Sequence, residues 1–267
     1  MRRASDVVCA VVGPTASGKS DLALELACVL PEALGAQSAG EIVSADALQL
    51  YRGMDVGTAK TPVEERRGIA HHQIDVLEVR DEASVAAYQK HARADVAGIH
   101  ARGGVAVVAG GSGLYQRALL DVIEFPGTDP AVRARLEEEA EGPMGSRGLH
   151  DRLTQLDPLS AERIDPHNAR RIIRALIDVG LREAKTASRA TGYAQALAVI
   201  DGQMSEDEAV ESIALATRQL ARRQVKWLRP DPRVHWLDVE DFDSNEAVVR
   251  HVVELTQREA EATLGRS

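Results

Sequence analysis

The sequence predicts an α/β fold in which helices flank a parallel sheet, and three observations support this. Short apolar runs at 7–12, 41–44 and 105–109 have the length and composition of buried strands, the first of them buried on both faces. Leucines at helical spacing follow the first run over 19–30, and a helix over about 84–101 begins at a capping serine. Because strands alternate with helices, the strands are expected to be parallel.

The composition limits the classes of function. The chain has 267 residues, a formal charge of -9 and only 3% aromatic residues, so an aromatic stacking platform is excluded as its main device for binding nucleic acid. Two cysteines, Cys9 and Cys28, cannot form a disulfide framework, which indicates a reducing compartment. The sequence contains no apolar run of transmembrane length. We therefore expect a cytoplasmic protein, and a monomer because the sequence shows no extended apolar dimer surface.

The second half of the chain is different in character. From about residue 128 the pattern is helical and charged, with few β-branched runs. A long helix is predicted over 205–228, followed by a last strand over 234–237 and a helix from Ser244 to about 262. The simplest architecture is a catalytic α/β core made of residues 1–125 and 186–267, interrupted by a helical insertion over 126–185.

One segment fits the phosphate-loop pattern, with two glycines four residues apart followed by a lysine and a serine. Backbone N–H groups and the positive end of the next helix bind phosphate, Lys19 neutralises its oxygens, and the Ser20 hydroxyl can ligate Mg²⁺. Since the segment joins a predicted strand to a helix, we predict a P-loop NTPase-like core that binds a di- or triphosphate. The segment consists of Gly13, Pro14, Thr15, Ala16, Ser17, Gly18, Lys19 and Ser20.

Two further strand ends are candidates for chemistry. The strand over 105–109 runs into glycines at 110–113 and lacks the carboxylate that organises metal in many nucleotide-hydrolysing enzymes. These glycines either admit a ligand or serve the turn alone. Asp46 follows the strand over 41–44, where it could act as a general base, bind a substrate or cap the next helix.

Five segments together closely resemble the tRNA dimethylallyltransferase (isopentenyltransferase, or IPP transferase) family. They extend in order over nearly the whole chain, and kinases share only the first of them. The segments are 13–20, 46–60, 110–115, 157–174 and 217–224.

The resemblance implies transfer of a dimethylallyl group from its diphosphate to N6 of the adenosine 3′-adjacent to the anticodon in certain tRNAs. It implies that the phosphate loop, by itself typical of ATP-binding proteins, binds the donor's diphosphate with Mg²⁺ instead, and that Arg218 contacts the same group. Asp46 would be the general base. The implied tRNA-contacting residues are Asp46, Ala47, Leu48, Gln49, Ser112, Arg133, Arg170, Arg171, Ile172, Ile173 and Arg174.

Local charge agrees with a tRNA partner despite the acidic total. The stretch 163–189 has a net charge of +4 and the stretch 218–233 a net charge of +5. Phosphate neutralisation supplies most nucleic-acid affinity, so both stretches could contact tRNA. The alternative is two solvated helix faces.

The chain departs from the family in three places. Ala47 replaces the usual Ser, Ser112 replaces Thr, and the several dozen helical residues that the family has after the equivalent of Leu176 are missing. Three explanations of the shortfall are open: a natural short form, an engineered deletion, or a sequence that contains only the residues ordered in a crystal. We expect the third, because a mobile insertion that grips tRNA would be disordered without its partner.

Three other functions stay open. A phosphate-loop kinase acting on a small molecule or nucleoside would consume ATP. An adenylate isopentenyltransferase would use free nucleotides as acceptors, and a non-catalytic RNA-binding module would leave no modified adenosine.

Overall fold

The computed structural model describes residues 6–81, 83–123, 130–169, 172–173, 193–200 and 202–264. Its sheet contains β1 (Val8–Val12), β2 (Gly40–Ser44), β3 (His71–His72) and β4 (Val105–Gly110). The strand order is β1-β4-β2-β3, and every pair is parallel. The predicted parallel α/β sheet is therefore confirmed, and its carboxyl ends carry the loops in which ligands bind in such folds.

Two strand predictions are wrong in detail. β1 is less buried than expected: only Val11 among its residues is buried, and the other four are partly exposed. Residues 234–237 form no strand, because the N–H of Val234 donates to the carbonyl of Asp231 in a turn at 3.1 Å. Asp238 then caps a short 3₁₀ helix over Val239–Asp241.

Helices follow the strands as the periodicity predicts. Three of them begin at serine caps, two of which, Ser84 and Ser244, were predicted. The hydroxyls of these two accept from backbone N–H groups three residues on, and the third, Ser205, forms a capping box with Glu208. In chain order the helices of the described residues are α1 (Lys19–Ala33), α2 (Val85–Ala101), α3 (Gly113–Leu120), α4 (Pro130–Glu141), α5 (Gly145–Leu156), α6 (Pro158–Glu162), α7 (Tyr193–Ile200), α8 (Glu206–Leu228) and α9 (Asn245–Leu264).

Residue contacts divide the chain into two compact units, Met1–Val122 with Thr186–Ser267, and Ile123–Lys185. The core of the first unit joins α1 to the sheet and to α9 through aliphatic side chains such as Leu26, Leu30 and Val107. Each fully buried side chain of this size contributes about 1.5–3 kcal/mol. This packing fixes α1, and hence the loop before it, against the carboxyl end of β1.

The second unit has an apolar core of its own. Leu136 of α4 and Leu149 and Leu153 of α5 pack with Ile172 and Ile173. Prolines begin α4 and α6, where the missing N–H of proline costs no helical hydrogen bond.

Candidate active site

The phosphate loop joins β1 to α1. Gly18 immediately precedes α1 with a φ of 74°, a left-handed conformation that glycine adopts without steric cost. Its carbonyl accepts the N–H of Leu22 at 3.1 Å and so begins the helix. The loop therefore ends at a helix N-terminus, where free N–H groups and the helix dipole favour an anion.

Lys19 is folded back over this loop. Its Nζ donates to the carbonyl oxygen of Pro14 at 2.5 Å, and the Ser17 hydroxyl donates to the same oxygen at 2.9 Å. Burial lowers the pKa of Lys19, and the negative charge of Asp46 opposes that shift. The ammonium and the Asp46 carboxylate therefore face the same region of the sheet edge.

Asp46 lies two residues beyond β2 and is partly exposed. Its Oδ1 accepts the N–H of Leu48 at 2.9 Å. Burial raises the pKa of Asp46, whereas the N–H of Leu48, the charge of Lys19 and the backbone of Gln49 oppose the rise. Asp46 thus bonds the backbone of a turn over 47–50, so the alternative that it caps a helix is wrong, and its raised proton affinity suits a general base.

Gln49 connects the end of β2 to the loop over 52–60. Its Oε1 accepts the Ser44 hydroxyl at 2.7 Å, and its Nε2 donates to the carbonyls of Thr58 and Ala59 at 3.1 Å. Gln49 makes three hydrogen bonds within the protein in this conformation, and so it holds the loop over 52–60 against the end of β2, close to Asp46.

Lys60, a residue to which sequence reasoning gave no role, fixes the other end of that loop. Its side chain is only 5% exposed and donates to the backbone carbonyl of Tyr51 at 2.5 Å, to Asp75 at 2.6 Å and to Asp55 at 2.9 Å. Burial alone would lower the pKa of Lys60, but the two carboxylates raise it. An aspartate five residues before a lysine, with a glycine between them, was the available signal.

Two buried tyrosines pack against each other near the end of β2. Tyr88 of α2 donates its hydroxyl to the carbonyl of Ser44, the last residue of β2, at 2.9 Å. The ring of Tyr115 from α3 lies 4.6 Å from that of Tyr88, centroid to centroid. Burial raises the pKa of both phenols, and the negative charge of Asp46 contributes to each rise. Tyr88 was missed because an isolated tyrosine in a helix carries no motif, whereas Tyr115 ends the segment 110–115 and was given no role there.

Steric contacts explain why glycines stand at the end of β4. A Cβ at Gly110 would overlap the carbonyl of Ala45, and one at Gly111 would overlap Nε2 of Gln224. Close packing against neighbouring segments therefore accounts for Gly110, the last residue of β4, and for Gly111, which follows it; neither has a positive φ. Ser112 precedes α3 and is partly exposed; its carbonyl accepts the N–H of Gln116 at 3.0 Å, whereas its hydroxyl does not cap the helix.

Gln224 of α8 is the second residue that sequence reasoning left without a role. Its Oε1 accepts the backbone N–H of Thr15 at 2.8 Å, so α8 touches the phosphate loop directly. The same helix carries Arg218, which is exposed. The structure thus brings the phosphate loop, Asp46 and α8 into one unit.

The remaining predicted tRNA contacts belong to both units. Ala47 and Leu48 are partly exposed beside Asp46, and Arg133 lies within α4. Ile172 and Ile173 are buried in the second unit's core, so their side chains are unavailable to tRNA in this structure. Three predicted contacts fall outside the described residues, namely Arg170, Arg171 and Arg174.

Part of the positive charge near the end of α8 is compensated. Arg233 pairs with Asp121 at 2.7 Å and with Asp231 at 2.6 Å, and its hydrogen bonds lower the pKa of Asp231 to about 2. Arg117 bonds Asp121 as well and lies 5.8 Å from the ring centroid of Trp227. Arg233 therefore contributes less to an anion-binding surface than the count of charges indicates.

A metal cluster and a membrane span are absent from the part of the chain that the structure describes. Within it, no group of three or more His, Cys, Asp or Glu side chains could hold a metal ion. Nor does any helix described there have the length and apolar character needed to cross a membrane. A divalent cation at the phosphate loop would therefore depend on Ser20 and on oxygens of the ligand itself.

The fold and site define a phosphate-loop α/β protein with a carboxylate just beyond the end of a second strand. The sequence profile of the IPP transferase family matches residues 49–180 and 176–231. A tRNA dimethylallyltransferase of Paenarthrobacter aurescens strain TC1 is 45% identical over 92% of this chain and 95% of its own length. The chain belongs to the IPP transferase family.

Solved structures agree with this assignment. The full-length tRNA isopentenylpyrophosphate transferase of Bacillus halodurans aligns with 98% of this chain and 100% of its own, at 28% identity and a TM-score of 0.67. The Staphylococcus epidermidis tRNA isopentenylpyrophosphate transferase covers 94% and 99%, at 27% identity and a TM-score of 0.64. The predicted P-loop core is confirmed by these neighbours.

The alignments also locate the shortfall in the helical insertion. The family profile matches in two pieces that meet at 176–180. The 303 positions aligned with the Paenarthrobacter relative include 92% of 267 residues, about 246, so about 57 positions lie opposite gaps in this chain. An intact mass of 28.8 kDa would contradict the expectation that crystal disorder explains the difference.

Proposed function

We propose that this protein transfers a dimethylallyl group from dimethylallyl diphosphate to N6 of the adenosine 3′-adjacent to the anticodon in certain tRNAs. The observation that supports this most directly is the placement of Asp46 and Lys19 around one region of the sheet edge. A base and an ammonium so placed suit a reaction that takes a proton from one partner and stabilises an anion leaving the other. The relatives' names supply the identity of both partners.

The chemistry follows from the charges that develop. As the allylic C–O bond breaks, its electron pair leaves with the diphosphate, and a bond forms between adenine N6 and the allylic carbon. The N6 proton passes to the Asp46 carboxylate. Negative charge on the diphosphate is stabilised by Lys19, by backbone N–H groups of the phosphate loop and by Arg218 from α8.

Mg²⁺ fits this site as a partner of the diphosphate. Mg²⁺ keeps several waters and binds through one or two protein oxygens plus substrate phosphates. Ser20, in the first turn of α1, offers a partly exposed hydroxyl, and Asp46 adds negative charge nearby. When bound, the ion would neutralise charge on the leaving group; Ser20 would hold it.

The tRNA would be recognised by residues of both units. Residues 46–49 and Ser112 lie at the donor site, where the target adenine must leave its stack to reach Asp46. Arg133 and the arginines of 170–174 would contact tRNA from the second unit. A tRNA substrate also supports the proposal of a cytoplasmic enzyme, and we propose a monomer.

One experiment tests the proposal. Unmodified tRNA is incubated with the protein, Mg²⁺ and dimethylallyl diphosphate, and its nucleosides are analysed by mass spectrometry. We expect a dimethylallyl adenosine that depends on donor and protein. Its absence, together with ATP consumption in the presence of nucleosides, would favour the kinase; product on free adenine nucleotides alone would favour an adenylate isopentenyltransferase; tRNA binding without product would favour an RNA-binding module.

A further inference from the structure

A single peptide bond connects Gln224 to Lys19. The N–H of Thr15 donates to Gln224 Oε1 at 2.8 Å, and the carbonyl of Pro14, at the other end of the same peptide, accepts Lys19 Nζ at 2.5 Å. In a trans peptide these two groups point in opposite directions. A bond that fixes the N–H on one side therefore fixes the carbonyl on the other.

The orientation matters because a rotated peptide would remove the acceptor. With the Pro14 carbonyl facing inward, Lys19 and the Ser17 hydroxyl both have a partner, and the ammonium is held over the loop. A peptide turned the other way would present an N–H to the ammonium. Gln224 Oε1, on α8, accepts the outward N–H of Thr15 and so stabilises the orientation in which the Pro14 carbonyl faces Lys19.

The chain leaves space for Gln224. Its Nε2 lies where any side chain on Gly111 would have to be, and Gly111 itself is buried between this amide and the carbonyl of Gly13. The phosphate loop, the turn after β4 and α8 thus meet at one carboxamide. Gln224 is partly buried and 209 residues away from Thr15 in sequence, so this contact depends on the docking of α8.

We propose that Gln224 is a positioning residue for Lys19: it orients the peptide between Pro14 and Thr15 so that the Pro14 carbonyl holds the lysine ammonium where the diphosphate binds. The inference rests on the proposed function only in naming the donor's diphosphate as the ligand. Gln224 touches neither donor nor tRNA in this role and acts through Lys19.

The test uses Gln224→Met, which keeps the length of the side chain and removes the acceptor. Its control is Gln257→Met, since Gln257 also makes one hydrogen bond to a distant backbone group, but from α9: its Nε2 donates to the carbonyl of Ala33 at 2.8 Å. Calorimetry with inorganic diphosphate and Mg²⁺ gives the Kd. We expect Gln224→Met to weaken diphosphate binding about three- to tenfold, the loss that one net hydrogen bond represents, and Gln257→Met to leave it unchanged within about twofold.

A second measurement reports on Lys19 itself. Competitive acetylation across a pH series, read by peptide mass spectrometry, gives the apparent pKa of each lysine. Loss of the Pro14 acceptor removes a partner from the ammonium, so the pKa of Lys19 should fall in Gln224→Met and remain unchanged in Gln257→Met, with Asp46 intact in both. Lys60, held by its own carboxylates, serves as the internal reference.

The outcomes separate the possibilities. Weaker diphosphate binding together with a lower Lys19 pKa supports the proposal. An unchanged Kd overturns it, and so does a weaker Kd with an unchanged Lys19 pKa, because Gln224 would then act on the loop without Lys19. Neither measurement requires prenyl transfer, so a protein that passes both and modifies no tRNA would refute the proposed function alone.

Discussion

Replacing Asp46 by Asn should remove prenyl transfer and stabilise the folded protein at neutral pH. The substitution keeps the size of the side chain, and the amide Oδ1 can still accept the N–H of Leu48, now at 2.9 Å. What is lost is the negative charge and the ability to take a proton. A general base contributes about 10²–10⁴-fold to rate, so turnover should fall by that factor.

The gain in stability follows from the pKa of Asp46. Burial raises this pKa above the ordinary value of 3.8, despite the opposing charge of Lys19. A carboxyl whose pKa is higher in the folded state favours folding when protonated, so its ionised form costs stability above the folded pKa and nothing below 3.8. We therefore expect Asp46→Asn to be more stable than wild type at pH 7, where the wild-type carboxyl is ionised, and to lose this advantage as the pH falls toward 3.8.

Urea unfolding of wild type and Asp46→Asn at pH 7 and near pH 4 measures this difference, with single-turnover transfer to an anticodon stem-loop as the activity assay. Asp243→Asn, which neutralises an exposed carboxylate, is the control for net charge. The free-energy gain should be largest at pH 7 and shrink toward pH 4. A variant less stable than wild type at pH 7, or one that retains turnover, would refute the reasoning.

Three further substitutions probe the supports of the site. Gly111→Ala places a Cβ against Gln224, so about 1–3 kcal/mol of stability and the diphosphate affinity should fall together in thermal unfolding and calorimetry; wild-type affinity would contradict this. Lys60→Met removes the donor to the Tyr51 carbonyl and should lower the free energy of unfolding in urea by about 2 kcal/mol. A loss of less than about 0.5 kcal/mol would contradict this prediction. Tyr88→Phe deletes one buried hydrogen bond and should cost about 1–2 kcal/mol by the same assay, whereas neutrality would mean that solvent replaces the bond.

Local sequence patterns predicted the parts of the site that are local. The phosphate loop is eight consecutive residues, and Asp46 lies only two residues beyond β2, so spacing alone locates both. The serine caps of α2 and α9 were predicted for the same reason, since a cap involves residues three apart.

Contacts between distant residues were not predictable from the chain. The bond from Thr15 to Gln224 spans 209 positions, and a glutamine in a helix has many possible partners. The partial exposure of β1 is equally non-local, because apolar composition does not say which elements will cover the faces of a strand. The expected strand over 234–237 failed where a local turn at Asp231 competed for the backbone N–H of Val234.

The position of the carboxylate gives a structural reason why this phosphate loop need not belong to an ATP-hydrolysing enzyme. In such enzymes an aspartate at the end of another strand organises the metal. Here the end of β4 is closed to any side chain, because a Cβ on Gly110 would overlap the Ala45 carbonyl. The carboxylate lies instead after β2, as Asp46, with a raised pKa that suits proton transfer more than metal ligation. The close approach of β2 and β4 thus keeps a side chain off the end of β4, and the carboxylate at this edge of the sheet follows β2 instead.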